Sequence, residues 1–195
     1  SACYSFLPRR LNRPFYIHLL SLLAFFSIAF FLPCVALLHL SQAPLPESLK
    51  TIALMISILL IIPVLTFSTN IRLTLRGTAR TLVHNLPLRF IFTGFIFYVL
   101  TSFQGSFQAL RSTNSYLHFS QWPVAHAHLA LLGSFGFLAV GITYWLLPAI
   151  IGARVFSRRM TSLSFWLMFL GFITFFSAMT FAGIVANSAW WDHMS

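Results

Sequence analysis

Five apolar runs, each long enough to cross a lipid bilayer, fill most of this chain: Phe15 to Leu40, Leu49 to Thr69, Leu88 to Phe107, Trp122 to Ile151 and Leu163 to Ala186. A helix of about twenty apolar residues spans the hydrocarbon core, where a backbone deprived of water must satisfy its own hydrogen bonds. The runs therefore predict an all-α polytopic membrane bundle of about five transmembrane helices. Polar connectors carrying Pro, Gly, Ser and Asn separate them, and no repeat interrupts the pattern, so residues 1–195 read as a single transmembrane domain. Charge supports this: only 7% of the residues are charged, against about a quarter in a soluble domain, too few to cover a water-facing surface.

The chain carries twelve Lys and Arg against two acidic residues, Glu47 and Asp192. Such a balance would suit nucleic acid if the cations lay on a polar domain. They lie instead in short gaps between apolar runs, so no nucleic-acid partner is expected and the positive-inside rule applies. Arg9, Arg10 and Arg13 precede the first run; Arg72, Arg76, Arg80 and Arg89 separate the second from the third; Arg154, Arg158 and Arg159 separate the fourth from the fifth. Those segments are expected in the cytoplasm, with the N-terminus inside and the C-terminal tail, ending in Trp190, Trp191, Asp192 and His193, outside. Cys3 and Cys34 suggest neither a disulfide framework nor a cysteine metal site. The segment Ser1 to Pro14 lacks the apolar core of a secretory signal. Its first residue, Ser1, points either to a processed N-terminus or to one piece of a larger polypeptide.

That orientation gathers His39, His118, His126, His128 and His193 towards the outer face, with His18 and His84 towards the inner one. Histidine is costly within a membrane helix, and its usual functions there are metal ligation and proton transfer. His126 and His128 are two residues apart, about 200° on a helix that turns about 100° per residue, so a regular helix cannot direct both at one ion. Each could hold an iron on its own side. Ala130 and Gly133 follow His126 at helical spacing, which predicts a stripe without bulk below that imidazole, suited to a flat macrocycle. The alternative reading makes both histidines interfacial residues bonded to backbone or headgroups, with Gly133 packing on another helix. For His39, His118 and His193 singly, the interfacial reading is preferred. Trp122, Trp190 and Trp191 are expected in an outer aromatic belt.

The stretch from Phe103-Gln104-Gly105 through Asn114, His118-Phe119-Ser120-Gln121-Trp122, His126-Ala127-His128 and Gly133 to Tyr144-Trp145-Leu146-Leu147-Pro148 resembles the catalytic subunit of haem-copper oxidases. It is most similar to the cbb-type cytochrome c oxidases and more distantly similar to nitric oxide reductases. The resemblance implies correspondence to roughly the seventh to eleventh helices of a twelve-helix subunit, in a bacterial inner membrane with a periplasmic C-terminus. It implies one or two haem b groups, with His126 as proximal ligand of a high-spin haem and His128 as an axial ligand of a low-spin haem. Asn114 and His118 would lie in the outer loop near the propionates, with Gly133 among the haem contacts. The second low-spin ligand would come from a partner membrane subunit that also supplies the missing helices, and the electron donor would be a c-type cytochrome or a quinol.

The sequence departs from that family where copper would bind. The family's adjacent His-His pair has no counterpart: the stretch reads Leu32-Pro33-Cys34-Val35-Ala36-Leu37-Leu38-His39. The redox tyrosine falls in a Phe-rich and aliphatic stretch around Phe30, and the family's Phe-Glu-Gly becomes Phe103-Gln104-Gly105. No copper is therefore expected, and no catalytic activity from this chain alone. Three functions follow: a haem-b-binding subunit of a respiratory-type electron-transfer complex, half of a split cbb-type oxidase or nitric oxide reductase, or a cofactor-free structural subunit.

Overall fold

The computed structural model describes residues 18–35, 44–77, 81, 84–152 and 156–194. The described residues form helices and no strand: α1 (His18–Val35), α2 (Glu47–Leu59), α3 (Ile61–Thr74), α4 (Leu86–Ala109), α5 (Arg111–Leu117), α6 (Gln121–His128), a π-helical segment π1 (Leu129–Gly136), α7 (Phe137–Ile151) and α8 (Arg158–Met194). Four of the resulting rods are long and apolar enough to cross a membrane: Glu47–Thr74, Leu86–Ala109, Gln121–Ile151 and Arg158–His193. Leu19–Phe30 is a shorter apolar helix. The expected runs are thus all helical where they are described. The stretch around His39, from 36 to 43, lies outside the described residues.

Local chemistry explains the helix ends and breaks. Pro63 has no N–H to return to the Leu59 carbonyl, and the rod Glu47–Thr74 breaks at Leu60, between α2 and α3. Asn85 caps α4, its Oδ1 accepting from the Leu88 N–H at 3.3 Å, with Pro87 in the first turn where a missing donor costs nothing. Ser120 caps α6 in the same way, accepting from the Trp122 N–H at 3.1 Å. Gly152 ends α7 at φ 70°, a left-handed conformation that glycine adopts without penalty.

Helix α4 is the hub. Of its apolar span 39% is buried, against 11% for the last helix, so α4 is packed on several sides while α8 leaves most of its surface outward. Close helix approach in lipid needs small residues, and glycines supply them here. A Cβ on Gly94 of α4 would lie 2.8 Å from the Ser134 carbonyl and 3.0 Å from the Leu138 nitrogen. One on Gly141 of α7 would lie 2.9 Å from both Phe90 Cβ and the Pro87 carbonyl. Gly183 of α8 likewise brings that helix onto the Trp122 backbone. Beyond these contacts Phe90, Phe97, Phe137, Phe165 and Phe172 interlock as an aromatic core, Phe90 meeting Phe165 edge to face at 5.0 Å. A second core joins Ala24 of α1 to Phe67 and Ile71 of α3 and to Leu88, Ile91 and Phe95 of α4. The fully buried Asn70 donates from Nδ2 to Ser21 Oγ at 2.9 Å, fastening α3 to α1.

The polar contacts sort the helix ends. Glu47 pairs with Lys50 at 3.1 Å and with Arg111 at 3.3 Å, tying the start of α2 to the start of α5 at one end of the bundle. Arg89 lies 5.3 Å from the centre of the Phe165 ring, joining the starts of α4 and α8. Helix α8 is longer than the apolar run Leu163 to Ala186 suggested. Its 37 residues extend about 55 Å at 1.5 Å per residue, beyond the roughly 40 to 45 Å of a whole bilayer. Trp190, Trp191 and His193 therefore lie on a continuous helix rather than in a tail.

Candidate functional site

Both central histidines stand on α6, about two turns after its Ser120 cap and just before π1. His126 faces α4. Its Nδ1 lies 3.2 Å from Gln104 Oε1, an acceptor, so the ring proton resides on Nδ1 and Nε2 carries the lone pair in the neutral ring. Its backbone carbonyl accepts from Thr101 Oγ1 at 3.4 Å. A Cβ on Gly105 would lie 3.2 Å from His126 Cε1 and 3.4 Å from Nε2, so glycine gives the ring edge its clearance. Trp122, one turn earlier, stacks parallel to the imidazole at 6.4 Å and 5°.

His128 faces the other way, towards α8. Its ring meets Phe175 edge to face at 5.0 Å. Its Nδ1 lies 2.8 Å from the Val124 carbonyl, one turn back, which again places the proton on Nδ1. The opposed faces expected from a two-residue spacing are therefore found, because α6 is regular through His128. Both rings are half-buried.

The small-residue stripe is placed differently from the expectation. From Leu129 to Gly136 the chain is π-helical, and bonding from i to i+5 takes more residues per turn than an α-helix. Positions four apart now stay in line, so Ala125, Leu129, Gly133 and Phe137 form the buried face. Gly133 lies against Phe172 of α8, where a Cβ would come within 2.8 Å of the ring, and the glycine beside His126 is Gly105. Leu132 and Phe135 are 50% and 63% exposed, so the bulk expected beside His128 points out of the bundle.

Asn114 and His118 organise the connector. Asn114 is buried and donates from Nδ2 to the Gln108 carbonyl at 3.3 Å, while its own carbonyl accepts from the His118 N–H at 2.9 Å. The His118 ring meets Phe119 edge to face at 4.8 Å. Asn187 of α8 donates to the Tyr116 carbonyl, and Tyr116 stacks with Trp191 at 6.1 Å, so the last helix holds this connector in place. Among the described residues no three His, Cys, Asp or Glu side chains gather as a ligand cluster, so His118, His126 and His128 do not converge on one ion. Thr101, Gln104 and Gly105 were not among the expected site residues. Polar Thr101, Gln104 and Gln108 at three- to four-residue intervals in an apolar run were the available signal.

Residues 1–194 match the family described as cytochrome c and quinol oxidase polypeptide I. The chain belongs to that family. It is 29% identical over 193 residues to a cytochrome c oxidase subunit 1 homolog of Agrobacterium tumefaciens, covering 98% of this chain and 36% of the relative. It is 30% identical over 188 residues to the bacteroid cytochrome c oxidase subunit 1 homolog of Bradyrhizobium diazoefficiens, covering 96% and 34%. To the cbb3-type cytochrome c oxidase subunit CcoN1 of Stutzerimonas stutzeri it is 27% identical over 188 residues, covering 96% and 40%. The chain thus spans a little over a third of the length of the curated relatives it matches. It is an oxidase-related integral membrane protein, and the family implies haem iron and electron transport.

Proposed function

We infer that this member of the oxidase polypeptide I family carries haem b within a respiratory-type electron-transfer complex, on a core without the copper site. The observation that supports this reading is the disposition of His126 and His128: two imidazoles on opposite faces of one helix, each with Nδ1 bonded to an oxygen. An Nδ1–H held by a carbonyl is the usual second contact of a metal-ligating histidine, since it fixes tautomer and ring direction. The donor set fits haem iron, which takes neutral imidazole nitrogen, and the missing Cβ at Gly105 leaves room along the His126 ring edge. When bound, haem supplies a reversible one-electron change between ferric and ferrous iron. The protein's part is to hold the imidazoles, His126 beside Trp122 and Gly105 and His128 against Phe175.

By this reading His126 and His128 serve separate haems. A second protein ligand for the haem held by His128 would come from a partner membrane subunit, and a c-type cytochrome or quinol would donate the electron. Copper is left out because Leu32 to His39 holds no His-His pair. A reduced-minus-oxidised spectrum of the purified complex, with metal analysis, tests this. A b-type band without copper is expected, with His126→Ala removing the high-spin component and His128→Ala the low-spin one. Stoichiometric copper would favour half of a split oxidase or nitric oxide reductase, and an absence of haem would leave only a structural subunit.

A further inference from the structure

Three residues of one α4 face meet His126 at three different points. Gln104 and Gly105 lie three and four residues after Thr101, spacings that share one face of a helix. Thr101 Oγ1 reaches the His126 carbonyl at 3.4 Å, Gln104 Oε1 meets Nδ1 at 3.2 Å, and Gly105 supplies the clearance beside Cε1 and Nε2. The first contact sets the backbone, the second the ring rotation and tautomer, and the third the space on the edge that bears the lone pair. Trp122 of the same helix lies parallel to the ring, at 6.4 Å and 5°.

We propose that Gln104 is a positioning residue for His126: its neutral amide oxygen holds the Nδ1 proton on the ring, leaves the lone pair on Nε2 at the edge beside Gly105, and keeps the imidazole a neutral ligand. This rests on the reading of His126 as a haem ligand. The physical argument is one of acceptor strength. A carboxylate at this position would pull on the Nδ1 proton, give the ring imidazolate character and stabilise ferric over ferrous iron, because a charged acceptor bonds roughly twice as strongly as a neutral one. An amide does so far less, so Gln104 poises the couple at a higher potential than Glu would. Gly105 acts on the same ring sterically: a methyl group there would push against Cε1 and Nε2 at 3.2 and 3.4 Å.

The test uses the full chain in its purified complex, with Gln104→Glu, Gln104→Met and Gly105→Ala. Gln104→Met keeps the bulk and removes the acceptor, so a packing role would leave it like wild type. Redox titration followed at the haem band should show Gln104→Glu moving the oxidised-to-reduced ratio at fixed potential about tenfold towards ferric, about 59 mV for a one-electron couple. Gln104→Met and Gly105→Ala should each lower haem retention, about 10-fold or more in affinity, the range for altered ligand-supporting contacts. A second readout is independent of haem. The ¹⁵N shifts of the His126 ring in haem-depleted protein should report a proton on Nδ1 in wild type and in Gln104→Glu, and a mixture of tautomers in Gln104→Met. Wild-type potential, retention and ¹⁵N pattern in both Gln104 variants would overturn the positioning role while leaving haem ligation intact. A wild-type complex without haem would overturn the haem reading and the positioning role with it, with the ¹⁵N pattern then deciding whether the Gln104 bond itself forms.

Discussion

Replacing Gly94 with alanine isolates the contact on which the α4 face depends. The added methyl would sit 2.8 Å from the Ser134 carbonyl oxygen, 2.9 Å from Leu138 Cγ and 3.0 Å from the Leu138 nitrogen. Two of these atoms are backbone, so rotamer changes cannot relieve the clash, and α4 must move away from π1 and α7. Overpacking of this kind costs about 1–3 kcal/mol, and three contacts at or below 3.0 Å argue for the upper part of that range. Alanine recovers about 0.5–1 kcal/mol of helix propensity, so a net loss of about 2 kcal/mol is expected, a factor of roughly 30 in the folded-to-unfolded ratio. Gly171 on α8 provides the control, with nothing within 4 Å of an added Cβ; alanine there should stabilise by about 0.5–1 kcal/mol. Denaturation titrations of the two variants in one detergent measure the difference directly. Equal stabilities for Gly94→Ala and Gly171→Ala would refute the packing argument, because only the interhelical contact distinguishes the sites.

Asn70→Ala should destabilise by about 0.6–1.7 kcal/mol in the same titration, since it removes the buried bond to Ser21, and membrane-embedded side-chain bonds fall in that range; Ser21→Ala in the Asn70→Ala background should add almost nothing. Single cysteines at Ser112 and Ser157 should react with an impermeant thiol reagent from opposite sides of the membrane, as the arginine-rich connectors predict, and labelling from the same side would refute the topology.

Much of this protein was legible from single-residue properties. In lipid a backbone has few options besides the helix, so run length and hydropathy were enough to give an all-α bundle, and the span near Trp122 to Ile151 came within a residue of the observed rod. The opposed directions of His126 and His128 were also legible, because they need only the turn of a regular helix over two residues. What tertiary structure decided was which residues meet those rings. A local pattern cannot reveal that Leu129 to Gly136 leaves the α-helical register, and that change moves Gly133 from the His126 stripe to the Phe172 ring. Nor can it pair His126 with Gln104 and Gly105, 22 and 21 residues earlier, because that contact depends on how closely α4 approaches α6, π1 and α7. The approach is set by Gly94 and Gly141, whose missing side chains carry no hydropathy signal and take on meaning only once a second helix is packed against them.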